Sequence, residues 1–532
     1  MRRSADSRNV IADNPDWWRN AVFYQVHVRS FADSDGDGVG DLEGIRSRLG
    51  YLELLGVDAL WLTPFHRSPM AADGHDVTDP RDVDPLFGDL ATFDRLVADA
   101  HAHGLRVTID LAVNHTGSQH EWFRAALRAG PGSPERNRYV FRDGRGPNGE
   151  LPPNNWRGVR GGPAWTRADD GQWYLHLLGP DQPNLNWDDP EVRVDLERTL
   201  RFWLDRGVDG FRIGAADAVT PPPHLPDVDP AVLAPTTGST RDDGHDPRFD
   251  HDGVHEIHRA IRRVLDEYPG RIVTGEIRVW DEERFARYLR PDELHLGLGH
   301  RLVAAPFDAD AVRREIERSV AAVAPVGAPP AWMLSHPDTV RHLSRYGGGE
   351  TGLRRARAMA LVLLALPGAI YLYNGEELGL PHVDLPEWTL HALPKGGSES
   401  TDPDRNGCRV PLPWEGDQPP YGFSTSTQTW LPMPSDWGRL TVEAQLEDPD
   451  SVLSLYRQAL ELRRTHPAFS GQQIEWYGAP PGCFAFRRKG SGLICALNTS
   501  GALVPLPPGE VLLASSPLQG ELMPPDTAAW LV

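Results

Sequence analysis

Glu276 closes an apolar run in RIVTGE, Asp338 stands two residues after His336 in LSHPDTVRH, and Asp217 lies three residues past Gly214 in GFRIGAAD. Asp76 adjoins His75 in ADGHDV, and His115 ends DLAVNH. Carboxyl and imidazole groups are the side chains that move protons near neutral pH, so these positions are candidates for acid/base chemistry or for gripping a polar ligand. His75 and His336 have two readings: new acid/base groups, or space-filling and hydrogen-bonding side chains. Arg212, in the same GFRI segment, is costly to bury without an anionic partner. Asp217 is a candidate for that partner; alternatively it caps the next helix or faces solvent.

A second pattern is DSDGDGVGD, beginning at Asp33. Oxygens of Asp33, Asp35, Asp37 and Asp41, with the Val39 carbonyl, are the hard donors that Ca²⁺ or Mg²⁺ prefer, and Gly38 permits the sharp turn. The loop is not an EF-hand, because Gly44 stands where that motif requires Glu. Cys408, Cys483 and Cys495 have no metal-ligand spacing. Three sparse cysteines fit a reducing cytoplasm better than a disulfide framework.

Eight short runs rich in β-branched and aromatic residues could carry these groups. They begin at Ala21, Asp58, Leu105, Val208, Arg271, Glu293, Ala331 and Ala369. Helical stretches such as LEGIRSRLGYLELLG, ATFDRLVADAHAHG and VHEIHRAIRRVLDEY separate them. Near-continuous apolar strands with helical crossovers predict an α/β fold, a (β/α)8 TIM barrel whose site lies at the C-terminal strand ends. The rhythm stops between residues 116 and 186, which are rich in Gly, Pro, Asn and Trp, so an inserted lid subdomain is expected after strand 3. From residue 469 short alternating strands predict a C-terminal antiparallel, sandwich-like β domain. The division is therefore 1–115 and 187–468 for the barrel, 116–186 for the lid and 469–532 for the tail.

A net charge of −21 argues against nucleic acid as partner. No run approaches the roughly 18 apolar residues of a membrane span, and MRRSADSRNVIADNPDWW lacks an apolar signal core, so a cytoplasmic protein is expected. The 17 Trp, 52 Gly and 49 Pro describe ordered loops with aromatic surfaces, suited to a small carbohydrate or sugar-like ligand. Nothing in the sequence sets the oligomeric state.

FYQVHVRSFADSDGDGVGDLEGI, SPMAADGHDVTDPRDVDPLFG, DLAVNHT, QPNLNW, GVDGFRI, Gly275–Glu276, LSHPDTVRH and LPGAIYLYNGEELGLP follow one another along the chain. In that order they resemble the signature set of the α-amylase superfamily, glycoside hydrolase family 13, and within it the bacterial α-glucosidase and oligo-1,6-glucosidase branch. The resemblance implies a retaining mechanism, in which one carboxylate attacks the anomeric carbon and a second, about 5 to 5.5 Å away, protonates the leaving oxygen. It makes Glu276 the general acid, Arg212 the residue that orients the nucleophile, His115 a donor to the sugar and Asp338 the carboxylate that grips sugar hydroxyls. It also assigns the Asp33 loop a structural metal.

The nucleophile position falls on Gly214. Two other positions also depart from the family pattern: His75 replaces a sugar-stacking Tyr, while Asp76 is kept, and His336-Pro337 replaces Asn-His. Without a side chain at residue 214 the glycosyl ester cannot form, a loss of about 10⁴ to 10⁶ in rate, or roughly 5 to 8 kcal/mol of barrier. Three functions are compatible with this pattern. One is an enzyme with altered, non-retaining or non-hydrolytic acid/base chemistry on a sugar-like metabolite, with Asp338 or Asp217 as base. The others are a non-catalytic sugar-binding pseudoenzyme and a laboratory nucleophile variant of an active α-glucosidase.

Overall fold

Every residue of β1 (Val22–Val26), β2 (Ala59–Leu62), β4 (Gly210–Ile213), β5 (Ile272–Glu276), β6 (Leu296–Leu298) and β8 (Ala369–Tyr373) is buried. So are all but the first residues of β3 (Arg106–Leu111) and β7 (Ala331–Met333). Strands covered on both faces must be sandwiched between other layers, as parallel barrel strands are. In the computed structural model, which describes residues 14–159, 161–229, 246–386, 389 and 403–532, these eight strands pair in sequence order, and β8 closes on β1. The parallel barrel expected from the apolar runs is the one observed. Residues 1–13, read above for a signal segment, lie outside the described residues.

The barrel interior is packed with apolar side chains, among them Phe23, Trp61, Ile272, Leu296, Met333 and Tyr371. Phe23 stacks on Tyr371 with ring centroids 4.6 Å apart. This plug gives way to polar groups at the C-terminal strand ends. Asp110 on β3 lies opposite Arg212 on β4, and Glu276 ends β5.

The crossover helices are set by caps and apolar faces. Leu90–Ala102 starts where the Asp89 side chain accepts from Thr92 N at 2.7 Å, and Pro190–Asp205 starts with Pro at a first-turn position behind the Asp189 cap. Gly253–Leu265 buries Val254, Ile257, Ile261, Val264 and Leu265 at helical spacing. LEGIRSRLGYLELLG forms two helices rather than one, Leu42–Ser47 and Leu49–Leu55, because Arg48 leaves helical geometry at φ −108°, ψ 10°.

At the opposite, N-terminal end of the barrel one carboxylate ties three strands together. Asp209, 1% exposed as a side chain, meets His101 Nε2 at 2.7 Å, Arg106 Nη1 at 3.0 Å and Arg271 Nη1 at 2.7 Å, and accepts from Val107 N at 2.8 Å.

After β3 the chain builds a three-stranded antiparallel sheet from Phe141–Arg142, Trp165–Arg167 and Trp173–Leu175. Its core of Val140, Trp156, Ala164, Trp165 and Leu175 is completed by Leu225 and Val228, which follow β4. Hydrogen bonds from Asn154 Nδ2 to Leu225 O and from Trp156 Nε1 to Pro226 O fasten the two segments together. A five-stranded antiparallel sheet spans Ile474–Tyr477 to Thr527–Leu531. It docks on the helix Gly349–Ala365 through Trp530 Nε1 to Leu361 O and Arg488 Nε to Ala365 O. No helix among the described residues is long and apolar enough to cross a membrane.

Candidate active site

The strand ends surround a cavity of about 280 Å³. His27 and Arg29 reach it from beyond β1, Asp73 and His75 from the β2 loop, Asp110 and His115 from β3, and Arg212 and Gly214 from β4. Glu276 and Arg278 come from β5, His336 to Asp338 from β7, and Arg409 from the chain after β8. Val159, Leu178 and Gln182 of the insertion complete the wall.

Glu276 is held by three neighbours, Arg212, Arg278 and His300. One carboxylate oxygen takes the Arg212 Nη2 contact. The other takes Arg278 Nη2 at 2.8 Å and lies 3.0 Å from His300 Nε2. Burial alone would raise this carboxyl, but the charges of Arg278 and Arg212 and the His300 hydrogen bond reverse it and hold it well below the usual carboxylate range. This arrangement favours the ionised carboxylate of Glu276.

Gly214 follows directly on β4, and the next residue, Ala215, turns the chain at φ +47°, a costly conformation for a residue with a Cβ. A Cβ at residue 214 would stand 2.9 Å from Arg212 Nη1. The guanidinium thus occupies ground that a larger residue there would contest. Arg212 also meets Asp110 Oδ2 at 3.3 Å and lies over the Trp61 ring. Burial pushes Asp110 up to about 6, against the pull of Arg212 and the Trp61 indole N–H.

Asp338 and Asp73 share Arg409, at 2.6 and 2.7 Å, and Arg409 Nε donates to Pro337 O at 2.8 Å. These groups form a second ion cluster lining the cavity.

A family model for the catalytic domain of alpha amylase matches residues 25–472. The chain belongs to the α-amylase family. A probable alpha-glucosidase of Rhizobium meliloti (strain 1021) is 36% identical over 521 residues, covering 94% of this chain and 92% of that protein. The trehalose-6-phosphate hydrolase of Escherichia coli (strain K12) is 34% identical over 535 residues, covering 93% of each chain. The crystal structure of an alpha-glucosyl transfer enzyme, XgtA, superposes with a TM-score of 0.86 at 36% identity, over 97% of this chain and 99% of that one.

Within this α-amylase-family barrel the structure gathers Glu276, Asp338, Arg212, Gly214, His75, His115 and His336 around one cavity. Two candidates stand apart from its lining. Asp76 spends its carboxylate inside the β2 loop, accepting from Ser68 Oγ, Ala71 N and Ala72 N at 2.8 to 3.0 Å. Asp217 is buried off the cavity, and burial, opposed by Arg278, pushes its carboxyl up to about 7. It is not the partner of Arg212; Asp110 and Glu276 fill that role because strand register and the β5 end bring them closer.

His336 is buried and pushed down to about 3, so it is neutral near pH 7; its Nδ1 accepts from Asp338 N at 3.2 Å. Its burial and this hydrogen bond fit the hydrogen-bonding, space-filling reading of His336. His115 Nε2 lies 2.9 Å from both His75 O and Gln182 Nε2, so groups of the protein already meet this ring nitrogen.

Sequence reasoning missed Arg409, Asp73, Arg278, His300 and Asp110. Only Arg278 and Asp73 carried a signal: each lies two residues from a chosen candidate, Glu276 or His75.

In the Asp33 loop, carboxylate oxygens of Asp33, Asp35 and Asp37 converge within 4.8 Å, which suits a Ca²⁺- or Mg²⁺-sized ion. Asp37 is raised by desolvation and by the charges of Asp35, Asp33 and Asp41, the repulsion a cation would relieve. Asp41 serves differently, accepting from Ser34 N at 2.7 Å and Gly44 N at 2.6 Å to cap the helix Leu42–Ser47. Glu276, His300 and His336 also converge within 4.8 Å. There, Arg212 and Arg278 already neutralise the one carboxylate, so a further cation is disfavoured.

Proposed function

We propose that this chain is an α-glucosidase-like carbohydrate-active protein in which retaining hydrolysis of neutral α-glucosides is silent. Turnover, where it occurs, runs through acid/base chemistry at Glu276 without a covalent sugar intermediate. The supporting observation is the Glu276 environment. A retaining cycle needs a nucleophile on one face of the sugar and a proton on the other. Residue 214 carries no side chain, and Glu276 is held as a carboxylate by Arg212 and Arg278. The proposed base toward a water or hydroxyl is Asp338, whose side chain, at 34% exposed, is more open than Asp73 at 23%, Asp110 at 8% and Glu276 at 4%.

The same environment favours a second reading, a sugar-binding pseudoenzyme. A third, an active hydrolase disabled by substitution at residue 214, is addressed by restoring Asp there. Glu276→Gln separates the first two. If the protein is an enzyme, this variant abolishes turnover of its substrate, and the parent's first-formed product, followed by NMR, has inverted anomeric configuration. If it is a binder, the variant keeps its affinity for maltose within about threefold, because only a proton-transfer group has been lost. A product of retained configuration would contradict both readings.

We also propose that Ca²⁺ or Mg²⁺ occupies the Asp33 loop as a structural ion held by Asp33, Asp35 and Asp37. Chelation is expected to lower the melting temperature by several degrees, and added Ca²⁺ to restore it, because an ion bound only by the folded state stabilises that state. The Asp35→Asn/Asp37→Asn double variant should melt low with or without chelator. An unchanged melting temperature in the parent protein would remove the ion from the account.

A further inference from the structure

Four arginines, Arg29, Arg212, Arg278 and Arg409, line the cavity against four carboxylates, Asp73, Asp110, Glu276 and Asp338. The pairing is uneven. Arg409 serves both Asp73 and Asp338, Arg29 lies 4.0 Å from Asp73, and Glu276 draws two guanidinium groups, Arg212 and Arg278, at closer range. Arg212 Nε and Arg29 Nε are buried without a hydrogen-bond partner among the described residues. Glu276 is 4% exposed as a side chain, but 44% of Arg278 is open to solvent, so Arg278 can swing without disturbing the barrel. Beside Arg212, Gly214 adds no counter-charge of its own. Two arginines converging on one carboxylate form an acid-binding clamp, and in this structure its occupant is the protein's own Glu276.

Resting on the reading above, we propose that the cavity recognises an anionic ligand whose carboxylate or phosphate takes Arg278 and the Gly214 side of Arg212 away from Glu276, releasing Glu276 to accept a proton. Two sources share that chemistry: a sugar that bears the acid group, or a small oxyanion bound beside a neutral sugar. The proton balance is explicit. One anion enters and one proton is taken from solvent onto Glu276, which then carries the proton a general acid needs.

The groups facing Glu276 set the direction. Arg212 from β4, Arg278 from its own loop, His300 after β6 and neutral His336 after β7 surround it, and Asp110, Asp217 and Asp338 add negative charge nearby. Once the ligand draws off the arginines, burial and these carboxylates favour the protonated form. Binding therefore weakens as pH rises. A neutral glucoside has no group that competes with Glu276 for the clamp.

Calorimetric titration with formate, inorganic phosphate, glucuronate, glucose 6-phosphate and methyl α-glucoside, in two buffers of different ionisation enthalpy, tests this. At least one anion is expected to bind about tenfold or more tighter than methyl α-glucoside, with uptake of close to one proton. Tight binding of formate or phosphate alone identifies the small oxyanion as the source; binding confined to glucuronate or glucose 6-phosphate identifies a sugar acid. Arg278→Ala should weaken anion binding about tenfold or more, and Glu276→Gln should retain it while abolishing proton uptake. Equal binding of charged and neutral ligands, no binding of any anion, or unchanged affinity in Arg278→Ala would each overturn the proposal. None of these readouts depends on turnover, so ordinary hydrolysis of a neutral glucoside would refute the proposed function without touching the anion result.

Discussion

Gly214→Asp alone is expected to raise hydrolysis of p-nitrophenyl α-glucoside by no more than about tenfold, whereas Gly214→Asp with Arg278→Ala should gain about a hundredfold or more. The reason is geometric. A side chain at residue 214 would begin 2.9 Å from Arg212 Nη1, so the new carboxylate meets Arg212 first and draws it from Glu276. Arg278 still holds Glu276 at 2.8 Å and keeps it ionised. The single variant therefore regains a nucleophile but no acid. Removing Arg278 lets burial, the influence that raises this carboxyl, prevail. Each decade of rate corresponds to about 1.36 kcal/mol of barrier. If Gly214→Asp alone restores turnover of ordinary enzyme magnitude, the pocket is that of a simply disabled hydrolase, and the role given to Arg278 is wrong.

Asp209→Asn should be the most damaging substitution outside the cavity, costing about 3 to 5 kcal/mol of stability. Asp209 is buried beneath the barrel, and its charge is shared by His101, Arg106 and Arg271. Burial raises its carboxyl, but the His101 hydrogen bond and the positive charges outweigh it, so the net shift is downward. For a depressed carboxyl the stabilisation is complete above the ordinary carboxylate range and is lost as pH falls through the lower folded value. The parent should thus lose this contribution only in acid, while Asp209→Asn lacks it at every pH. Denaturant unfolding at pH 7 measures the loss. Arg67→Ala, which breaks an exposed pair with Asp82, is the control and should cost less than about 1 kcal/mol. Equal effects of the two substitutions would remove Asp209 from its place as the barrel's basal tie.

The barrel was legible because its strands announce themselves. Runs such as AIYLY and IVTGE are buried at every position, and continuous apolar character survives reading one residue at a time. The cavity was legible only where a side chain sits at a strand end, as Glu276, Arg212 and Asp338 do. Arg409 escaped because it lies 71 residues beyond Asp338 and meets it only through the folding of the chain after β8. The partner of Arg212 escaped for a related reason. Asp217 is near in sequence, but parallel register sets Asp110, 102 residues away, beside it, and the β5 end adds Glu276, 64 residues away. His336 is open to two readings in the sequence because imidazole ordinarily titrates near neutral pH, and the burial that pushes it down is visible only in the fold. The three donors that Asp76 meets within its own loop were likewise not legible in the sequence.

The proposed function requires that the site offer a neutral glucoside neither a nucleophile at residue 214 nor a proton on Glu276. The most direct test is the steady-state rate of p-nitrophenyl α-glucoside hydrolysis by the parent protein between pH 5 and 9, with Glu276→Gln in parallel. The predicted result is a parent rate that does not exceed that of Glu276→Gln at any pH. A parent rate of ordinary enzyme magnitude, abolished by Glu276→Gln, would contradict it.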